Sequence, residues 1–358
     1  MSESPDEKLE EAKRLAAARN GDTQEFSELT EPYRRELQVH CYRILGSFHE
    51  AEDLVQETFL RAWKRLETFE GRASFRAWLY KIATNACLDF LDQRRSRRLL
   101  PFDRVPASEP NAAFLPPAAG VTWLEPFPDE WLSDQTAINP EARYTASESV
   151  SLSFLTALQV LPTRQRAVLI LRDVLDFSAS ETAEVLEITV SSANSALHRA
   201  RTTLAGRYHG RNPEDATTSV TDERTQSLLD HFVKAWETAD VEGLVALLKE
   251  DAIFAMPPSP SWYRGRDVIG TFAATTVFAD EGMFGGKALD RWRLLPTRAN
   301  AAPAFAIYQH LQGNEYQAFG MHVLSEQDRR LTQIISFIDS SLPARFGLPE
   351  RIESNSRE

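Results

Sequence analysis

Residues 75–98, FRAWLYKIATNACLDFLDQRRSRR, decide how the first half of this chain is read. Apolar side chains recur three and four apart, as in Trp78 with Ile82 and Ala86 with Phe90, which is the period of an amphipathic helix. Ser74 stands before them as an N-cap, after the turn signal Glu70-Gly71-Arg72, and the helix is expected to run to about residue 93. Four arginines, Arg94, Arg95, Arg97 and Arg98, close the stretch. The chain as a whole carries a formal net charge of −12. A concentrated basic knob on an acidic protein gains little unless it meets a polyanion.

The pattern extends outward from there. Residues 25–44 place Phe26, Leu29, Tyr33, Leu37 and Cys41 at helical spacing, and residues 49–66 do the same with Ala51, Leu54, Val55, Thr58, Phe59, Ala62 and Trp63. Residues 99–145 break the pattern with PASEP, FLPPAAG and EPFPDEW, an acidic stretch too long and too Pro-rich for packed regular structure, and so a linker. Its Trp123, Phe127 and Trp131 are unusual in a spacer and point to docking, on this protein or on a partner. Helices resume at 148–160, 164–175, 180–186 and 190–208. Residues 211–220 read as a second, polar linker. From Arg224 onward the texture is α+β, with helices at 226–239, 241–249 and 265–279 and strand-like runs at 290–297, 304–311, 316–324 and 331–339.

A chain of 358 residues, 42% of them hydrophobic, suffices for two or three domains. The N-terminal MSESPDEKLEEAKRL is acidic and polar, unlike a secretory signal or a transit peptide. No apolar run approaches the roughly 20 residues that span a bilayer. Cys41 and Cys87 fall inside amphipathic helices and read as buried, reduced thiols rather than a disulfide or a metal site. A soluble cytoplasmic protein is expected, with no membrane partner and with any DNA contact confined to local basic faces.

Residues 179–204, ASETAEVLEITVSSANSALHRARTTL, read as a helix–turn–helix. Ala183 and Leu186 face its core, Ile188 packs at the turn and Thr189 caps the second helix. Val190, Ala193, Leu197, Ala200 and Leu204 form an apolar stripe. The opposite face presents Ser191, Ser192, Asn194, Ser195, His198, Arg199 and Arg201, short donors first and then cations. A recognition helix sets its N-terminal residues against base edges and its later cations against phosphates.

The segment AEDLVQETFLRAWKRLETFEGRASFRAWLYKIATNACLDFLDQRRSRR resembles region 2 of the extracytoplasmic-function group of bacterial sigma-70 factors. LQVLPTRQRAVLILRDVLDFSASETAEVLEITVSSANSALHRARTTL is similar to their region 4, and the remainder resembles a subgroup carrying a SnoaL-like C-terminal domain. The resemblance implies an order of parts: an acidic N-terminal segment at 1–24, region 2 at 25–98, the linker at 99–148 and region 4 at 149–208. A second linker at 209–223, a SnoaL-like α+β cone at 224–340 and a tail at 341–358 complete it. It also implies a protein that is not an enzyme and takes no cofactor, with core RNA polymerase (its β′ clamp and β subunits) and promoter DNA as partners and any anti-sigma factor left open.

Roles follow residue by residue from the same resemblance. Asp53, Gln56, Glu57 and Arg61 would meet the polymerase clamp. Arg72, Ser74, Arg76, Tyr80, Lys81, Asn85 and Asp89 would line the surface that takes the −10 element as melted single strand, with Arg94, Arg95, Arg97 and Arg98 on the adjacent phosphates. Trp78 reads as core. The Ser191–Arg201 face would read the −35 element, although Asn194 and small residues stand where many relatives place arginine. That leaves fewer bidentate guanine contacts. Residues 256–266, MPPSPSWYRGR, form an exposed turn-rich loop in this reading. Its Trp262, Tyr263 and Arg264 are expected to make a regulatory contact, with Trp123 and Trp131 as counterparts. Trp236, Met256, Trp262, Tyr308, His322 and Phe337 are candidates to line the cone's pocket, and His322 and Asp339 the only strand residues suited to chemistry there. Two other readings stay open: a one-component DNA-binding regulator with a ligand-sensing tail, and a pocket enzyme fused to DNA-binding helices.

Overall fold

The structure, a computed structural model, describes residues 5–94, 98–112, 114–117, 121–135, 148–206, 223–311 and 313–353. The chain divides into two compact units: Met1–Ser96, Trp131–Ser149 and Ser153–His209 form one, and Arg97–Glu130, Val150–Leu152 and Gly210–Glu358 form the other.

The first unit is helical. Helix α1 (Pro5–Arg19) occupies the acidic segment that sequence reading left without structure, and the Arg19 guanidinium donates to the Phe69 carbonyl. The expected helix over 25–44 is two helices, α2 (Thr23–Thr30) and α3 (Arg34–Leu45), joined by a tight turn at Glu31–Tyr33. Pro32 has no N–H to extend the α2 ladder, so the chain turns there. Ser47 caps α4 (Phe48–Lys64), and Gly46 ends α3 in a left-handed conformation with φ 73°. Helix α5 (Phe75–Arg94) starts where the sequence placed it, with the Ser74 hydroxyl accepting from the Ala77 N–H at 3.2 Å. Leu37, Ile44, Val55, Leu79 and Ala83 are wholly buried among α3, α4 and α5. Both cysteines are free and buried there.

Helices α6 (Leu152–Val160), α7 (Thr163–Leu169, widening into a π turn at Ile170–Val174), α8 (Ala179–Val185) and α9 (Val190–Ala205) complete this unit. Helices α8 and α9 form the expected helix–turn–helix. Ser178 and Glu181 cap α8 reciprocally, and Thr189 caps α9 through the Ser192 N–H. Arg166, 2% exposed, fastens α7 to α3: its guanidinium donates to the Ile44 carbonyl and to Gln159 Oε1.

The second unit is α+β. Helices α10 (Glu223–Glu237), α11 (Val241–Leu247) and α12 (Arg266–Phe272) accompany a sheet of β1 (Leu248–Ala255), β2 (Trp262–Arg264), β3 (Trp292–Ala299), β4 (Ala302–His310), β5 (Glu315–Gln327) and β6 (Arg330–Phe337). The strand order is β2-β1-β6-β5-β4-β3, antiparallel except that β1 runs parallel to β6. Phe232 and Trp236 of α10 pack with Phe254, Trp292, Phe305 and Ile334 on one face of this sheet. Ala306, Tyr308, Tyr316 and Ala318 make a smaller cluster on the other. Alternate residues of β4 thus serve two buried faces, as the period of a strand requires.

Strand β1 was missed because the expected helix over 241–249 stops at Leu247 and a bulge carrying Glu250 and Asp251 separates Leu248 from the alternating Ala252 and Phe254. The structured domain also continues past 340. Helix α13 (Leu342–Arg345) follows, and β7 (Arg351–Glu353) pairs with β5.

Residues of the stretch read as a linker are packed in this unit: Leu100 and Phe127 are buried, the Phe127 N–H donates to Asn300 Oδ1 at 2.9 Å, and Leu99 bridges to Trp123. Prolines deny the segment a ladder of its own, so it is held by side chains and single backbone bonds instead.

Candidate nucleic-acid interface

Helix α9 offers the clearest face. Ala193, Ala196, Leu197 and Ala200 are buried, and Ser191, Ser192, Asn194, Ser195, His198, Arg199 and Arg201 are all exposed along the opposite side. Two residues of the expected apolar stripe differ: Val190 is 44% exposed and Leu204 half-buried, because both lie at the ends of the helix, beyond its packing against α7 and α8. Arg201 is held by Asp173 through two bonds, Nε at 2.9 Å and Nη2 at 2.6 Å, and Asp173 raises its basicity further. Such a fork positions a cation at one edge of the face.

Helix α5 differs, because α3, α4, α7 and α8 all pack against it. Arg76 forks onto Glu36 at 2.9 and 2.8 Å. Tyr80 is wholly buried, donates to Glu36 Oε2 at 3.3 Å and packs against His40 and Phe177, so it does not line an open strand-capturing surface. Burial pushes its hydroxyl pKa up. Asp89 is exposed and bound to Arg61, and Arg94 reaches Glu50 Oε1 at 2.7 Å. Arg98 corrects the sequence reading most: its side chain is 11% exposed, and Nη1 donates to the Trp123 carbonyl at 2.9 Å, so it holds the linker rather than standing ready for a phosphate. Arg95 and Arg97 lie outside the described residues.

Beside α5 lies a cleft of about 420 Å³ that Arg61, Arg72, Trp78, Lys81 and Asn85 help to line. Trp78 is half-buried, tilted against Phe69 and Phe75 with one side on the cleft, rather than wholly core. Ser74 is exposed, its hydroxyl serving as the helix cap.

On α4, Asp53 and Gln56 are exposed, and Glu57 is half-buried, accepting from Arg61 Nε at 2.8 Å. Leu60 stands 56% exposed on the same helix. Sequence reading passed over it; its signal was an apolar residue one turn beyond Gln56 and Glu57, off the buried stripe.

In the α+β unit the 256–266 loop is buried, not exposed. Trp262 and Tyr263 are 5% and 1% exposed, Arg264 is exposed with its guanidinium over the Trp262 ring, and Ser259 and Ser261 are buried. Trp262 Nε1 donates to the Val105 carbonyl at 2.8 Å, its own carbonyl accepts from Ser108 N–H at 2.8 Å, and Phe102 meets its ring edge-on. Ser259 Oγ donates to the Leu115 carbonyl at 2.8 Å. The counterparts in the linker are therefore Phe102, Val105, Ser108 and Leu115. Trp123 sits with Leu99 and Arg98, and Trp131 packs in the helical unit against Phe48 and Arg35.

The residues proposed to line one pocket are dispersed. Trp236, Met256 and His322 lie in the packed interior, Tyr308 belongs to the cluster on the sheet's other face, and Trp262 meets the linker. His322 shares a hydrogen bond with Ser336 Oγ at 2.7 Å beside Trp236 and Phe232, and burial lowers its pKa to about 3. Asp339 is exposed and bound to Ser341, so the two do not converge.

Family models match residues 29–97 as Sigma-70 region 2 and residues 151–204 as Sigma-70, region 4. The ECF RNA polymerase sigma factor SigG of Mycobacterium tuberculosis is 40% identical over 339 residues, covering 94% of this chain and 86% of that one. SigW of Bacillus subtilis, another ECF RNA polymerase sigma factor, is 30% identical over 54% of this chain and 93% of its own. The crystal structure of M. tuberculosis extracytoplasmic function sigma factor SigJ shares the fold, with a TM-score of 0.53 and 20% identity over 90% of this chain and 99% of that one.

Proposed function

This chain belongs to the ECF RNA polymerase sigma factors, and from that membership we propose how its parts divide the work. As a member it associates with core RNA polymerase and directs promoter recognition and transcription initiation; it is not an enzyme. It acts in the cytoplasm. The α4 face of Asp53, Gln56 and Leu60, with the half-buried Glu57 beside them, docks on the β′ clamp. The cleft of Arg72, Trp78, Lys81 and Asn85 takes melted −10 bases, with stacking worth about 1–3 kcal/mol per base. The outward face of α9 reads the −35 element.

The C-terminal domain modulates this activity by holding the linker. The observation that carries this reading is the bond from Trp262 Nε1 to the Val105 carbonyl at 2.8 Å. With Phe102 against the Trp262 ring, a Pro-rich segment that cannot order itself is ordered on the domain. Every added bond lowers the entropy of the chain between the two DNA-reading regions, so releasing it changes how freely they rearrange.

Promoter-dependent run-off transcription with core polymerase tests the assignment. Phe102→Ala with Ser259→Ala in the full chain is expected to raise output while trypsin cleavage at the exposed Arg104 accelerates. Faster cleavage with unchanged output would reject linker holding as the means of control.

A further inference from the structure

Among the described residues of α8 and α9, Val190 is the one large apolar side chain left exposed, at 44%. It does not stand apart from the polar face of α9. Val190, Asn194 and Arg201 follow one another four and seven residues apart, which sets them along one line of the helix. Both ends of that line are fixed. Thr189 Oγ1 accepts from the Ser192 N–H at 3.1 Å and donates to Ser192 Oγ at 2.9 Å, so the turn that carries Val190 is capped. At the far end the Arg201 guanidinium forks onto Asp173. Glu187, in the turn before α9, pairs with Lys81 at 3.3 Å. The line therefore runs from an apolar group through an amide to a cation. A recognition helix meets base edges with its first residues and phosphates with its later ones.

We propose that Val190 reads a thymine of the −35 element through its C5 methyl group. The assignment rests on the reading of α9 as the −35 face. An isopropyl group neither donates nor accepts a hydrogen bond. Against the polar edges of guanine, cytosine or adenine it strips water from groups it cannot bond in return. The thymine methyl is the apolar group that base pairs expose in the major groove. Meeting it takes apolar surface of both partners out of water and leaves no polar atom unpaired. Val190 is already exposed in the free protein, so the contact requires no rearrangement of the helix–turn–helix. A face with Asn194 and small residues in place of arginine makes fewer bidentate guanine contacts. Val190 supplies specificity there by a different chemistry.

The test uses holoenzyme assembled from the full chain and core RNA polymerase. Promoter duplexes randomised over the −35 element are selected by run-off transcription. Each selected thymine is then replaced by deoxyuridine, which removes only the methyl group. At one position the replacement should weaken wild-type binding roughly three- to fivefold, the worth of one buried methyl. The loss should vanish in Val190→Ser and persist in Val190→Ile, while both variants melt with the wild type. Should Val190→Ser melt early, Val190→Ala makes the same comparison. A deoxyuridine effect that survived removal of the isopropyl group would give the methyl to another side chain and overturn the proposal. So would a wild type indifferent to every replacement, or a selected element without thymine. A pool with no preference at any −35 base pair would instead overturn the reading of α9 on which the proposal rests.

Discussion

Helices α5 and α9 carry similar polar patterns, short hydrogen-bonding residues interleaved with arginines. On α9 all seven candidates of the −35 face are exposed. On α5 and the chain beyond it, Arg76 holds Glu36, Tyr80 is buried, Lys81 and Asn85 meet the α8 turn, and Arg94 and Arg98 hold Glu50 and the Trp123 carbonyl. Position in the bundle makes the difference. Helix α9 packs on one side, against α7 and α8, whereas α5 has α3, α4, α7 and α8 around it. A peripheral helix keeps most of its polar residues free of its neighbours, Arg201 with Asp173 being the exception on α9; a central one uses them to bind its neighbours. The exposure expected of candidate DNA-facing positions is therefore met more fully at the edge of this fold than at its centre.

Substitutions sharpen or break this contrast. The largest effect is expected from Tyr80→Ala, which removes a wholly buried ring against His40 and Phe177 and should lower stability by about 3–5 kcal/mol in denaturant titration. If stability held and only single-strand capture fell, Tyr80 would belong to the DNA face and the contrast would fail at its strongest point. Next comes Asn194→Ala on the open face. It should cost about 1–3 kcal/mol of discrimination at one −35 position in a promoter competition assay, while leaving Tm nearly unchanged. Uniform loss across sequences would show that Asn194 reads no base.

His40 provides a test by pH. Its Nε2 meets Thr84 Oγ1 at 2.8 Å, and burial, with Arg43 and Arg76 adding to it, lowers its pKa from 6.5 to about 3. The unfolded chain takes up a proton below about pH 6.5 and the folded imidazole does not, so stability is present above that pH and is lost as pH falls toward 3. The slope from this group should be about 1.4 kcal/mol per pH unit, and His40→Gln should flatten it in thermal melts between pH 6 and 4. An unchanged slope would place the titration elsewhere. The smallest effect is expected at Arg94, whose side chain is 57% exposed. Arg94→Ala should cost at most about 1 kcal/mol of stability, and any larger change should fall on promoter opening.

Periodicity alone made much of this protein legible. The α4 and α5 stripes, the Ser74 and Thr189 caps and the helix–turn–helix follow from spacing and local hydrogen bonding, which act within a few residues. Pro32 shows where even local reading slipped, since an apolar period ran straight across a residue that cannot join the ladder. Strand β1 was hidden by its charged bulge, and β7 by having only three residues, too few to show a period. The candidate faces were named correctly as surfaces on α9 and only partly on α5.

What the sequence determined by itself was most of the helices, though not α1 or the break between α2 and α3, with the caps at Ser74 and Thr189 and the polar sides of α4 and α9, because those depend on neighbours three or four residues away. Tertiary structure decided which polar side meets solvent and which meets protein. Lys81 and Glu187 are 106 residues apart in the chain yet 3.3 Å apart in space, and Val105 and Trp262 are bound across 157. No local pattern encodes such pairings. They arise when buried apolar faces fix the elements, and the polar groups brought together then satisfy one another in place of water.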